Sequence, residues 1–211
     1  ILRFIHDYIP NYGITIILLT CAIKLLFVPL QYKSYKSMKM MRLIQPKIKE
    51  VQEKYKGDRD RLNKELMKLY REQKVNPLGG FLPMFLQMPV FIALFNVLYT
   101  TIDLRQAPFM LWVTDLSVQD PFYVLPILMG ATMFIQQKIT PTTMDPTQAK
   151  IMLVLPIGLT FLFINFPAGL VLYWVTNNIL TISQQVLTDR FFLHDKALIA
   201  AGAQRSSSPN A

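Results

Sequence analysis

Apolar positions along the 211-residue chain gather into four stretches where charge is nearly absent: 8–32, with Lys24 as its single charge, and 75–102, 121–137 and 151–188, with none. About 20 apolar residues at 1.5 Å rise cross the roughly 30 Å hydrocarbon layer, so runs of this length predict transmembrane helices. The last stretch is too long for one crossing. Asn165-Phe166-Pro167-Ala168-Gly169 interrupts it, where proline removes a helix donor and glycine permits a tight reversal. The pattern therefore predicts an all-α integral membrane protein with five transmembrane helices, at about 12–31, 78–101, 121–138, 150–165 and 168–188.

Charge then supplies an orientation. The segment 33–74 carries 14 Lys or Arg against 6 Asp or Glu, nearly the whole of the chain's net +9. Lysine and arginine accumulate in cytoplasmic loops, which puts this segment in the cytoplasm. Alternation puts the N-terminus and the loop 103–120 outside, and the loop 138–150 and the tail 189–211 inside. Within the basic segment, Ile44, Ile48, Val51 and Tyr55, then Leu62, Leu66, Leu69 and Gln73, recur at helical spacing on either side of Gly57-Asp58. That predicts a cytoplasmic helical hairpin. Its basic face suits a lipid surface or a docking arm for another protein or a ribosome; its tyrosines form no stacking platform for specific nucleic-acid recognition.

Composition narrows the class. With 52% hydrophobic and 17% charged residues, the chain is neither an ordinary soluble enzyme nor a disordered segment. Its single cysteine, Cys21, rules out an intrachain disulfide. The chain starts at Ile1, with Arg3, His6 and Asp7 close behind, and reads as the core of a longer protein.

Lys24 is the one charge inside a predicted span, and a lysine near a helix centre costs about 2.5 to 3.5 kcal/mol to insert. Such a group either snorkels to the surface or faces a wet cavity. Gln87 reaches a similar depth in the second span, so the two can share one cavity. Thr176, Asn177, Asn178, Thr181, Gln184 and Gln185 run from the middle to the inner end of the last span, and Gln136 and Gln137 end the third. Each is either a groove residue or half of an interhelical hydrogen bond. No Asp or Glu lies in any span, His6 and His194 lie outside them, and no nucleophile elbow, metal pair or phosphate loop is present. The expectation is no enzyme, no catalytic residue, no cofactor and no metal. Met84, Phe85, Met88, Phe91 and Phe95 in the second span and Phe161 and Phe163 in the fourth offer either a promiscuous apolar surface or ordinary packing against lipid and neighbouring helices.

Several ordered pieces carry a resemblance: Lys24 followed by Pro29-Leu30, Leu43-Ile44-Gln45-Pro46-Lys47-Ile48, Val75-Asn76-Pro77-Leu78-Gly79-Gly80, Gln87-Met88-Pro89-Val90-Phe91, Leu104-Arg105-Gln106-Ala107-Pro108-Phe109, Gln119-Asp120-Pro121 and Phe166-Pro167-Ala168-Gly169-Leu170-Val171-Leu172-Tyr173. From about residue 12 to about 192 the chain resembles the YidC-type membrane protein insertases, and its 103–120 loop resembles their bacterial branch. The resemblance implies a hydrophilic groove open to cytoplasm and lipid and closed outside, in a multi-pass protein of the bacterial inner membrane.

The family's groove cation falls on Lys24, where relatives are expected to carry arginine; the change keeps the charge and loses the bidentate fork. Insertion and chaperoning of newly made membrane proteins would then use Lys24, Gln87, Gln136, Asn177, Asn178, Thr181 and Gln184 as the groove. Met84, Met88, Phe91 and Phe161 would form an apolar slide. The partners implied are nascent membrane-protein clients, membrane lipids, and the Sec translocon and ribosome or targeting factors. A channel or small-molecule transporter using the same cavity, and a scaffold that inserts nothing, are the alternatives.

Overall fold

The structure, a computed structural model, describes residues 1–76, 79, 82–100, 104, 106–140 and 146–192. Among them every regular element is helical: α1 (Leu2–Tyr8), α2 (Tyr12–Lys54), α3 (Arg59–Glu72), α4 (Leu82–Thr100), α5 (Val124–Ile139), α6 (Pro146–Phe163), α7 (Ala168–Leu187) and a closing π-helical turn, Thr188–Phe192. The five apolar stretches of the sequence fall on the first part of α2 and on α4 to α7. Residues 77, 78, 80, 81 and 101–103 at the predicted ends of the second span, the middle of the 138–150 loop at 141–145, and the tail from 193 lie outside the described residues.

The first span and the first arm of the hairpin are one helix. α2 runs for 43 residues, roughly 65 Å at 1.5 Å per residue, with Pro29 and Pro46 inside it. Each proline deletes one backbone donor, but no glycine interrupts residues 30–54, and Lys, Met, Arg, Leu and Gln there are good helix formers. The helix starts at Asn11, whose side chain accepts from Ile14 N–H at 3.1 Å, and ends before the turn at Tyr55 to Gly57. Asp58 then caps α3 by accepting from Arg61 N–H at 3.0 Å. Ile44, Ile48 and Val75 are buried against Met41, Leu66, Leu69 and Tyr70, so that Ile44, Ile48, Leu66 and Leu69 of the predicted periodic set meet here, joined by Met41, Tyr70 and Val75.

α7 lies at the centre, packed on α5 and α2; α6 packs on α5, and α4 packs more lightly on α2 and α7. Ile16, Leu94, Leu116, Met129, Leu170, Val171 and Tyr173 form the core. Gly130 of α5 lies so close to the Thr160 hydroxyl of α6 that a Cβ would collide with it. Such close approach matters in hydrocarbon, where van der Waals packing replaces the hydrophobic effect between helices.

The described part of the 103–120 segment, read from sequence as an external loop, contributes to this core, and the third span starts at Val124 instead of 121. Leu104, Ala107, Val113 and Leu116 are buried, and the carbonyls of Leu116 and Val118 accept from Gly169 N–H at 2.9 Å and Ala168 N–H at 2.7 Å. These bonds correct the role assigned to Gly169. The chain reverses before Pro167, while Gly169 is helical and buried, its otherwise orphan first-turn donor taken up by the capping segment. Asn11 Nδ2 ties the start of α2 to Phe109 O at 2.8 Å. The end of the bundle remote from the hairpin is thus closed by main-chain bonds.

Outside the core the helices are apolar. Leu25, Leu26, Phe85, Ile127, Ile151, Val154 and Phe161 are each exposed by more than half. Contiguous apolar surface on this scale suits hydrocarbon, not water. Among the described residues α2 alone is long and apolar enough by composition to cross a membrane, with mean hydropathy 2.3 over its best 18 residues; Phe85–Val97, Val124–Ile139 and Ile151–Phe163 are shorter apolar stretches.

Candidate functional site

Lys24 turns inward. Its Nζ donates to Thr181 Oγ1 at 2.7 Å, across the α2–α7 contact, and the Thr181 hydroxyl donates onward to Asn177 O at 2.6 Å. A snorkelling lysine would reach for the headgroups; this one spends a donor on a hydroxyl of the neighbouring helix. On the other side of the same slot, Gln87 of α4 donates to the Tyr173 hydroxyl of α7. Lys24, Gln87, Asn177, Tyr173, Thr20 and Gln31 line a narrow concavity walled further by Pro83 and Leu86. Its volume is about 10 Å³, room for about one water molecule.

The remaining predicted residues divide. Asn178 faces away from the slot and donates to Thr132 Oγ1 of α5 at 3.1 Å, an interhelical clamp. Thr176 folds back on Leu172 O, as helical threonines do. Gln185 is buried and accepts from Thr140 at 3.3 Å. Gln184 has a buried Nε2 without a hydrogen-bond partner but does not line the slot, nor does Gln136.

Among the apolar residues, Met88 and Phe161 are exposed on the outer faces of α4 and α6, beside Phe85, Ile92, Val154 and Ile157. Phe91 instead turns inward and meets Trp174 edge-on at 5.3 Å. The side chain of Met84 lies outside the described residues.

Helical periodicity alone could have found Thr20 and Gln31, which stand four residues before and seven after Lys24 on one face of α2. Tyr173 carried no such signal, since only the fold brings its hydroxyl to Gln87. Toward the capped end the slot continues into a larger apolar cavity of about 590 Å³ between α1, α2 and α4, with Thr20, Ile23, Val90 and Tyr173 lining both. Phe91 and Phe95 of α4, Phe163 of α6, Phe166 of the α6–α7 turn and Trp174 of α7 contact one another with ring centroids 4.8 to 6.4 Å apart. Among the described residues no three of His, Cys, Asp and Glu come together as metal ligands.

A helical membrane protein with one cation held in a polar slot, open apolar faces beside it and a sealed far end is the class these features define. The family described as 60Kd inner membrane protein matches residues 4–196. The chain is 60% identical over 189 residues to the membrane protein insertase YidC of Geobacter sp. (strain M21), covering 90% of this chain and 35% of that protein. To the protein of the same name from Francisella tularensis subsp. novicida it is 55% identical over 192 residues, again 35% of the relative's length. A crystal structure of an active YidC insertase with its first transmembrane domain resolved superposes with a TM-score of 0.69 at 28% identity, over 90% of this chain and 44% of that one. The chain belongs to the 60Kd inner membrane protein family, and it spans about a third of the length of the curated relatives it matches.

Proposed function

We propose that this chain is the membrane-embedded core of an insertase and chaperone that moves newly made membrane proteins into the bilayer without consuming nucleotide. The observation that carries the reading is Lys24, a cation fixed by Thr181 inside a slot between α2, α4 and α7. A short acidic end of a client is drawn to Lys24 because charge attraction in a low-dielectric slot is several-fold stronger than in water. The apolar client segment meanwhile passes along the exposed faces of α4 and α6, around Met88 and Phe161, into lipid, and its transfer out of water drives the step.

Five crossings, with the capped end outside and the hairpin and C-terminus in the cytoplasm, follow from the charge of 33–74 and fit this direction of entry. The hairpin then offers a basic surface to lipid, to ribosomes or targeting factors, or to the Sec translocon. A channel or transporter is the weaker reading, because the cavity beyond the slot is lined almost wholly by apolar side chains, which offer a polar solute few partners.

The test is insertion of a single-span client with an acidic N-terminal tail into liposomes holding this chain alone. Natural protein and Lys24→Arg should insert it, and Lys24→Glu should not. Equal insertion by Lys24→Glu would remove the electrostatic role, and solute flux through sealed vesicles would favour the channel.

A further inference from the structure

Gln31 lies seven residues, two helical turns, beyond Lys24 on the same face of α2, and it lines the same slot. Its side chain is only 6% exposed, and its Oε1 is fully buried with no donor from the protein. Among the other polar groups of the slot, Thr20 is answered by Ile16 O, Lys24 by Thr181, and Gln87 by Tyr173. An amide oxygen buried without a donor is costly, and it persists where a donor arrives from outside the chain.

We propose that Gln31 is a specificity residue of the slot, accepting a hydrogen bond from a backbone N–H of the client segment whose carboxylate Lys24 holds. The proposal rests on the insertase reading of that slot. Every client carries backbone N–H groups, and an extended polar end has no intrachain acceptor for them. The spacing makes the recognition directional. Seven helical residues separate Lys24 from Gln31 by about 10.5 Å, and three extended residues cover about 10 Å. The amide bound at Gln31 therefore lies about three residues from the acidic side chain bound at Lys24, and a client already helical there, with its N–H groups paired internally, is refused. At rest the slot admits about one water, so entry parts the wall formed by Pro83, Leu86 and Gln87 from α2. α4, the more lightly packed neighbour, is the helix that can move.

The experiment uses the full chain in liposomes and a synthetic acidic-tail client in which single backbone amides of the tail are replaced by esters, which deletes one N–H at a time. Gln31→Leu should unfold at the same temperature as the natural chain or higher, since it removes an unanswered acceptor, while insertion falls about 3- to 10-fold, the effect of one lost hydrogen bond. One ester, about three residues from the acidic residue, should lower insertion by the natural chain to a similar degree and have no further effect on Gln31→Leu.

Unchanged insertion by Gln31→Leu would overturn the proposal. So would ester effects that add to it at every position, or a fall in unfolding temperature that tracks the loss of insertion, which would mark a water-bridged structural role. Lys24→Glu in the same assay separates the two readings. If it abolishes insertion while Gln31→Leu does not, only the role of Gln31 fails; if the natural chain does not insert, or Lys24→Glu inserts equally, both fail.

Discussion

Lys24 and Thr181, 157 positions apart in sequence, share a hydrogen bond of 2.7 Å that is also the polar link between α2 and α7 at the depth of the slot. Hydrogen bonds to charged groups contribute about 1.5 to 3 kcal/mol, more than neutral ones, and here one partner is a cation removed from water. Thr181→Val keeps the shape and deletes the acceptor. Thermal unfolding in detergent should show a loss of about 1.5 to 3 kcal/mol. Thr181→Ser, which restores the hydroxyl, should recover most of it. A Val variant as stable as the natural chain would mean that Lys24 finds another acceptor.

Asp120 is buried at 1% exposure and holds the entry to α5: its Oδ1 accepts from Phe122 N–H at 3.0 Å and its Oδ2 from Leu125 N–H at 2.7 Å. A carboxylate facing the first turn of a helix satisfies orphan donors and complements the helix dipole. Asp120→Ala should cost about 1 to 3 kcal/mol, and Asp120→Asn less. Limited proteolysis of the 104–123 segment is the measurement, with faster cleavage in Ala than in Asn.

Tyr35 sits beyond the slot on the extension of α2 toward the hairpin, near the ion pair in which Lys39 Nζ meets Asp189 at 2.9 Å. Burial, and secondarily the Asp189 carboxylate, push its phenol up to about 12 from the ordinary 10.0. A folded value raised above the unfolded one means stability that is complete below about pH 10 and is lost as pH rises through about 12. Unfolding midpoints measured across that window should fall more steeply for the natural chain than for Tyr35→Phe. Asp189→Asn should shift the ionisation only modestly, because burial is the larger cause, and should change stability by less than about 1 kcal/mol, since the ion pair is partly exposed.

Gly13, in the first turn of α2, faces the Phe109 ring so closely that any Cβ would enter it. Gly13→Ala should therefore destabilise the chain, although alanine is the better helix former by about 1 kcal/mol. Phe109→Leu in the same background should relieve part of the loss. A double-mutant cycle by thermal unfolding checks the coupling, and strict additivity would refute it.

What the sequence disclosed followed from whether each feature was local. The apolar runs, the basic segment, the Gly57-Asp58 turn and the Ile44–Leu69 seam are periodic over short distances, and each was legible. The continuity of α2 from the 12–31 span into the first arm of the hairpin was not, because the change from apolar to basic residues at Lys33 reads as a boundary between two elements. The capping segment was hidden for another reason: Leu104 and Leu116 stand singly among polar neighbours, Val113 ends a run of only five apolar residues, and the segment is held by hydrogen bonds from Ala168 and Gly169 to Val118 and Leu116, fifty or more positions away. In the slot, Lys24 announced itself by cost and Gln87 by depth. Asn178 and Gln136 shared the chemistry of the set but not its direction, which rotation about the helix axis decides and composition does not reveal.

One consequence follows from the length of α2. Lys24 and the hairpin stand on a single hydrogen-bonded rod, with the fulcrum where Asn11 is tied to Phe109 O and thirty residues of arm between Lys24 and Lys54. A sideways load of a few ångströms at the hairpin arrives at the slot as a smaller displacement in the same sense. The helix gears a coarse push at the hairpin down to a fine adjustment of the wall opposite α4, so that the two ends of α2 move as one.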